Sequence, residues 1–110
     1  MKTDEITVQE LQELRQQNAD FLLLDVREPG EYAQCNIGGN LIPLGELKAR
    51  FNELLPYQHQ KVIVHCLVGG RSAQAVAFLK QGGFTQTYNL KGGLKAWSAE
   101  IDPSMPRYWE

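Results

Sequence analysis

Cys66 is the residue of this chain best placed to act as a nucleophile. It follows Val62-Ile-Val-His65, a run that reads as a buried strand, and precedes Leu67-Val-Gly-Gly70, Arg71 and Ser72. From Ser72 onward, Ala73, Val76, Ala77 and Leu79 carry apolar character at helix spacing. A strand, a tight glycine loop and a helix place one thiol at a helix N-terminus. There the loop N–H groups can turn inward and the helix dipole adds positive potential. Such a setting brings a cysteine pKa from about 8.5 into roughly the 3.5–7.5 range, so the thiolate exists at neutral pH. The chemistry expected is thiolate attack.

The residues around it divide into chemistry and support. Arg71 stands at the N-terminal end of the helix, where a cation is electrostatically unfavourable. An anion or substrate held in the loop supplies the reason for it. Ser72 reads as a helix cap, with a hydrogen bond to the Cys66 sulfur as the alternative. Gly69 and Gly70 give the tight loop its backbone freedom. A phosphate-loop reading fails, because no Gly-Lys-Ser or Gly-Lys-Thr follows. Asp25 and Arg27 read as structural supports near the site, and Arg27 and Glu31 stand four apart and can pair locally. His65 neighbours Cys66 on a strand and so points to the opposite face, which makes it a poor base for the thiol. His59 lies in a polar loop. Neither histidine has metal-ligand spacing, so no metal is expected. Cys35 reads as an incidental thiol, with a resolving or second sulfur-accepting role as the alternative. Trp97 reads as core or groove wall.

The positioning elements follow from pattern. Ile6 suits a short opening strand, and Thr7 a cap for a helix from Val8 to Gln17 with Val8, Leu11 and Leu14 on one face. Phe21 to Val26 is an apolar run typical of a strand covered on both faces. Arg27 to Gly30 is turn chemistry, Glu31 to Gln34 a helical turn and Ile37 to Asn40 a loop. Leu41-Ile42 is a short strand ended by Pro43. Leu44, Leu47, Phe51, Leu54 and Leu55 form a helical face, or two short helices, stopped by Pro56. Lys61 to Cys66 is the central strand, Arg71 to Gln81 the helix after the loop, Gln86 to Leu90 a strand and Leu94 to Ile101 the last helix. The tail from Asp102 to Glu110 is expected to lie over the surface as coil. Alternating strands and helices predict an α/β fold with a mostly parallel sheet and helices on both faces. Such sheets work at the carboxyl ends of their strands, where Asp25 and Cys66 both fall.

The bulk properties narrow the classes. The 110 residues predict a single domain over 1–110 that needs no disulfide staples. A net charge of −2 gives no reason to expect nucleic acid or an anionic membrane as partner. The two cysteines favour a reducing, cytoplasmic compartment over a secreted disulfide scaffold. Met1 to Gln9 has no apolar run and does not read as a secretory signal. No stretch approaches the roughly 18 apolar residues of a membrane span.

These residues, in this order, resemble the single-domain rhodaneses. Leu23-Leu-Asp-Val-Arg-Glu-Pro-Gly-Glu-Tyr32 is similar to that family's first signature and Ile37-Gly-Gly-Asn-Leu-Ile-Pro-Leu44 to its second. Val62 to Ser72 is similar to its active-site loop, and Tyr88-Asn-Leu-Lys-Gly-Gly-Leu-Lys-Ala-Trp97 to its C-terminal signature. The resemblance implies a five-stranded rhodanese fold. It also implies Cys66 as the carrier of a sulfane sulfur, and a substrate cradle of Leu67, Val68, Gly69, Gly70, Arg71 and Ser72. Asn36 stands where the second signature usually has histidine. Ile101 to Tyr108 also resembles the ending of rhodanese domains attached to ubiquitin-like-activating enzymes, which deliver sulfur to carrier proteins.

The function expected is therefore sulfur transfer. The donor is a small molecule such as thiosulfate or a protein persulfide. The acceptor is a thiophile, a sulfur-carrier protein among the candidates, and no cofactor is required. Two other classes compete: a non-enzymatic sulfur-relay or interaction module, and a cysteine-dependent phosphatase or arsenate reductase. Loop length separates the last. Four residues lie between Cys66 and Arg71, whereas the related phosphatases have five and so a wider pocket.

Overall fold

The computed structural model describes residues 4–110. Met1 to Thr3, part of the stretch expected to lack a secretory signal, lie outside them. The chain runs β1 (Glu5–Ile6), α1 (Val8–Gln16), β2 (Leu22–Asp25), α2 (Pro29–Gln34), β3 (Asn40–Leu41), two 3₁₀ helices (Leu44–Glu46 and Phe51–Tyr57), β4 (Val62–His65), α3 (Gly70–Gln81), β5 (Thr87–Leu90) and α4 (Gly93–Glu100). The five strands form one sheet in the order β1-β5-β4-β2-β3, and every pairing is parallel. β4 is central and pairs Val64 with Leu24 of β2 and Val62 with Thr87 of β5.

Side-chain alternation along the strands splits the interior into two layers. Leu22 and Leu24 of β2, Val62 and Val64 of β4, and Cys66 just beyond pack on one face with Ala75, Val76 and Leu79 of α3 and with Leu47 and Leu54. Ile63 and Leu90 pack on the other with Val8 and Leu11 of α1 and Leu94 and Trp97 of α4. Both faces being covered explains why β2 and β4 read as unbroken apolar runs. Cys66 thus belongs to the α3 face and His65 to the opposite one.

Local chemistry sets the element ends. Thr7 caps α1 in a reciprocal box: its hydroxyl accepts from Glu10 N–H at 3.1 Å and Glu10 Oε1 accepts from Thr7 N–H at 2.8 Å. Between β3 and β4 the spacing of the leucines suggests a helical face or two short helices, and the chain forms two short 3₁₀ helices with bonds such as Leu47 N–H to Leu44 O at 3.2 Å and Gln58 N–H to Leu55 O at 3.0 Å. Gly45 and Pro56 weaken the longer ladder there. Pro56 does not stop the element; it sits inside the second 3₁₀ helix, which ends at Tyr57. β3 falls one residue earlier than Leu41-Ile42, because Asn40 pairs with Leu24. The tail is not simply a surface coil. Met105 is buried among the α1 and α4 side chains, with Tyr108 and Trp109 packed beside it. Among the described residues no helix is long and apolar enough to cross a membrane.

Candidate active site

β4 ends at His65 and delivers Cys66 to the carboxyl edge of the sheet, where its side chain is 1% exposed. The backbone then turns through Leu67 and Val68 to Gly69, which enters α3 with φ 121°, a conformation that favours glycine. Gly70 has no such constraint. The turn brings Gly69 N–H to 3.1 Å and Ser72 N–H to 3.4 Å from the Cys66 sulfur, with Ser72 Oγ at 3.3 Å.

Three carbonyls of this loop, those of Cys66, Leu67 and Gly69, are engaged by other groups. Cys66 O accepts from Leu94 N–H and Leu67 O from Lys95 N–H, both at 3.0 Å, so the first turn of α4 grips the loop from outside. Gly69 O accepts from Ala73 N–H at 3.0 Å and from the Asn89 side-chain amide at 3.2 Å. With these three carbonyls engaged elsewhere, the Gly69 and Ser72 N–H groups face the sulfur. Burial pushes the Cys66 thiol up, but hydrogen bonds from the Ser72 hydroxyl and the Ser72, Gly69 and Val68 N–H groups outweigh it. Its pKa lies below that of an ordinary cysteine.

Ser72 is the third residue of α3, three positions past the N-cap, which is Gly69. Its hydroxyl has one proton for two neighbours, the sulfur and Asn89 Oδ1 at 2.6 Å. The Asn89 orientation follows from Gly69 O, which needs the amide NH₂ and so turns Oδ1 toward Ser72. Because the proton is shared, Ser72→Ala is expected to slow Cys66 alkylation at neutral pH by only about three- to tenfold, with the apparent pKa shifted upward. A rate–pH profile resolved at the Cys66 peptide checks this. An unchanged profile would remove Ser72 from the set of groups that stabilise the thiolate.

Arg71 points its guanidinium at Glu31 of α2. Nη1 donates to Oε1 at 2.6 Å and Nη2 to Oε2 at 3.0 Å. Tyr108 of the tail donates its hydroxyl to Glu31 Oε2 at 2.7 Å, and Glu28 N–H donates to Oε1 at 3.0 Å. The Arg71 guanidinium, helped by these donors, holds the Glu31 carboxyl down at about 2. Glu31 therefore pairs across 40 positions of sequence, and the local partner suggested by spacing, Arg27, approaches only its backbone oxygen.

Arg27 and Asp25 are buried together at 0% exposure. Nη2 donates to Asp25 Oδ2 at 2.7 Å, and Nε is shared between the two carboxylate oxygens. Arg27 N–H closes the turn on Asp25 Oδ1 at 3.0 Å. Arg27 also donates to Cys35 O at 2.9 Å and to the Tyr108 hydroxyl at 3.3 Å, tying α2 and the tail to the end of β2. His65 is buried on the far face from the sulfur, with Nδ1 3.3 Å from Cys66 O and Nε2 3.5 Å from Asp25 Oδ2. Burial pushes its pKa down, which keeps the ring neutral. His59 is exposed and lies 3.3 Å from Thr85 Oγ1. Asn36 spends both ends of its amide locally, on Tyr32 O and Gly38 N–H. Cys35 ends α2 as a half-buried free thiol packed on the α1–α4 side, where Trp97 is buried. Val68 forms an exposed apolar rim to the loop.

Sequence reasoning assigned no site role to Asn89, Glu31, Tyr108 or Gly93. For Gly93 a signal existed, since a glycine pair at a helix start marks close backbone approach. The others act through side chains brought in by tertiary contact.

A buried thiol of lowered pKa that accepts N–H groups at the carboxyl end of a parallel strand gives this α/β domain the geometry that cysteine nucleophilic chemistry needs. Residues 7–100 match the family described as the Rhodanese-like domain, and the chain belongs to that family. It is 35% identical to a protein of Allochromatium vinosum named Sulfurtransferase, over 86% of this chain and 88% of that one. It is 33% identical to the Arabidopsis thaliana adenylyltransferase and sulfurtransferase MOCS3 over 94% of this chain, and spans about a quarter of that protein. The human single-domain sulfurtransferase TSTD1 has the same fold, with a TM-score of 0.78 and 26% identity over 90% of this chain and 98% of that one.

Proposed function

We propose that the protein is a sulfurtransferase that carries sulfane sulfur on Cys66. The observation that carries the reading is the Cys66 sulfur accepting N–H groups from Gly69 and Ser72 inside a buried loop. The thiolate attacks the outer sulfur of a donor such as thiosulfate or a protein persulfide. The S–S bond of the donor breaks, sulfite or a thiolate leaves with the electron pair, and Cys66 holds a persulfide anion. The N–H groups of Gly70 and Arg71, in the first turn of α3, have no intrahelical acceptor and supply further donors for that anion. These dipoles are fixed before reaction, so the transferred charge requires little reorganisation. A thiophilic acceptor, such as cyanide, a thiol or a sulfur-carrier protein, then attacks the outer sulfur and regenerates the thiolate. Two half-reactions through a covalent intermediate predict ping-pong kinetics.

Intact-protein mass after thiosulfate tests the reading. The wild type is expected to gain the mass of one sulfur, to lose it to cyanide and to produce thiocyanate. Cys66→Ser is expected to do none of these. The competing phosphatase reading is probed with an aryl phosphate. Turnover there that depends on Cys66, with no sulfur gained from thiosulfate, would overturn the proposal.

A further inference from the structure

The guanidinium at the mouth of the loop is not an open anion receptor. Both Arg71 terminal nitrogens bind Glu31, and Tyr108 and Glu28 supply further donors to the same carboxylate. Tyr108 is directed to that task, because its oxygen accepts from Arg27 and its single proton goes to Glu31. Four donors meeting on one carboxylate, from α3, the tail and the start of α2, make a built contact and not a chance surface pair. The second cation nearby, Arg27, is buried against Asp25. The positive charge beside Cys66 is therefore matched by negative charge on residues of the fold itself.

We infer that Glu31 is a specificity-determining residue: by neutralising Arg71 it biases Cys66 toward donors bearing a single negative charge, such as alkyl persulfides and thiosulfonates, and against the small dianion thiosulfate. The inference rests on the sulfurtransferase reading and refines its donor class. The chemistry is the same for each donor. With thiosulfate, Cys66–S⁻ takes the outer sulfur and sulfite leaves. With an alkylthiosulfonate it takes the corresponding sulfur and a sulfinate leaves. The two donors differ by one unit of charge at the leaving group, which makes them a gauge of local potential. Glu31 touches neither the donor nor the sulfur and acts through Arg71, so it is a positioning residue.

Glu31→Gln removes the charge and keeps an acceptor for Glu28 N–H, so the start of α2 is preserved. Two ratios are measured in the full chain at low ionic strength. The first is Cys66 alkylation by iodoacetate relative to iodoacetamide, resolved by peptide mass so that Cys35 does not contribute. The second is kcat/KM for thiosulfate relative to methanethiosulfonate. Glu31→Gln is expected to raise each ratio about fivefold, the size of one screened unit charge, and about 1 M salt is expected to abolish the difference. Tyr108→Phe is expected to raise both ratios about twofold, and Glu31→Asp, which keeps the charge, to stay near the wild type. Equal changes for charged and uncharged reagents would overturn the inference and assign Glu31 a structural role. A shifted alkylation ratio with an unshifted donor ratio would overturn the donor preference alone. Failure of the wild type to take sulfur from both donors would overturn the sulfurtransferase reading, and the donor preference with it.

Discussion

Gly93→Ala is expected to reduce sulfur transfer by a hundredfold or more while leaving the sheet intact. Gly93 adopts φ +58°, and a Cβ built there would lie 2.5 Å from Leu67 O and 2.7 Å from Cys66 O. Both contacts are with backbone, so no side chain can rotate away. The strained φ costs about 1–2 kcal/mol for a residue with a Cβ. The clash must then be relieved by moving either the loop or the first turn of α4. Either movement breaks the Leu94 and Lys95 N–H bonds that hold the loop carbonyls outward. Freed carbonyls near a thiolate oppose its charge, so the Cys66 pKa should rise with the loss of activity. The measurements are single-turnover persulfide formation and the pH profile of Cys66 alkylation. Gly45→Ala serves as the control, since that position has open space and no left-handed φ. Transfer and profile both within twofold of the wild type in Gly93→Ala would refute the grip of α4 on the loop.

Asp25→Asn is expected to be the most destabilising single polar substitution at the site, at about 3–5 kcal/mol, because it leaves the Arg27 guanidinium buried without its counter-charge. Denaturant unfolding reads this directly. Replacing both partners, as in Asp25→Asn with Arg27→Met, is expected to cost less than the sum of the single changes, since no lone charge then remains. Arg27 also carries the hydrogen bonds to Cys35 O and Tyr108. The double variant should therefore remain below wild-type stability and show looser packing of α2 and the tail. Single and double variants of equal stability to the wild type would rule out the pair as the fastening of these segments.

The parts of this protein that were legible in sequence are those encoded within a few neighbouring residues. β2 and β4 are apolar on both faces, and the thiol, the glycines and α3 follow one another directly, so the loop could be placed from the chain itself. The 3₁₀ region shows how far such reading goes. Leucine spacing allows one helical face or two short helices there, and the chain takes the second course as 3₁₀ turns, with Pro56 inside the second one and not at its end. Arg71 shows a second limit. Its position at the start of α3 suggested contact with an anion or substrate held in the loop, and spacing could not show that Glu31 would bind the guanidinium from 40 positions away. Asn89 gave no cue, because its partners Ser72 and Gly69 belong to another element. The tail was legible in part: its Pro and aromatic residues suggested coil over the surface, and it has no helix or strand, but the apolar surface of Met105 docks it into the core.

The order of strands gives the reactivity of Cys66 a history as well as a location. β4 and the loop are made before β5 and α4, yet Asn89 of β5 and Leu94 of α4 are among the groups that shape the loop. β5 is in turn bordered by β1, where Asn89 N–H donates to Asp4 O at 2.7 Å, so the first strand must wait for the last before it can pair. Pairings this distant in sequence form late and slowly. During synthesis on the ribosome, a chain released only as far as α3 carries its thiol without the outer grip that aims the N–H groups at it. The setting of the nucleophile is thus complete only when β5 and α4 are in place.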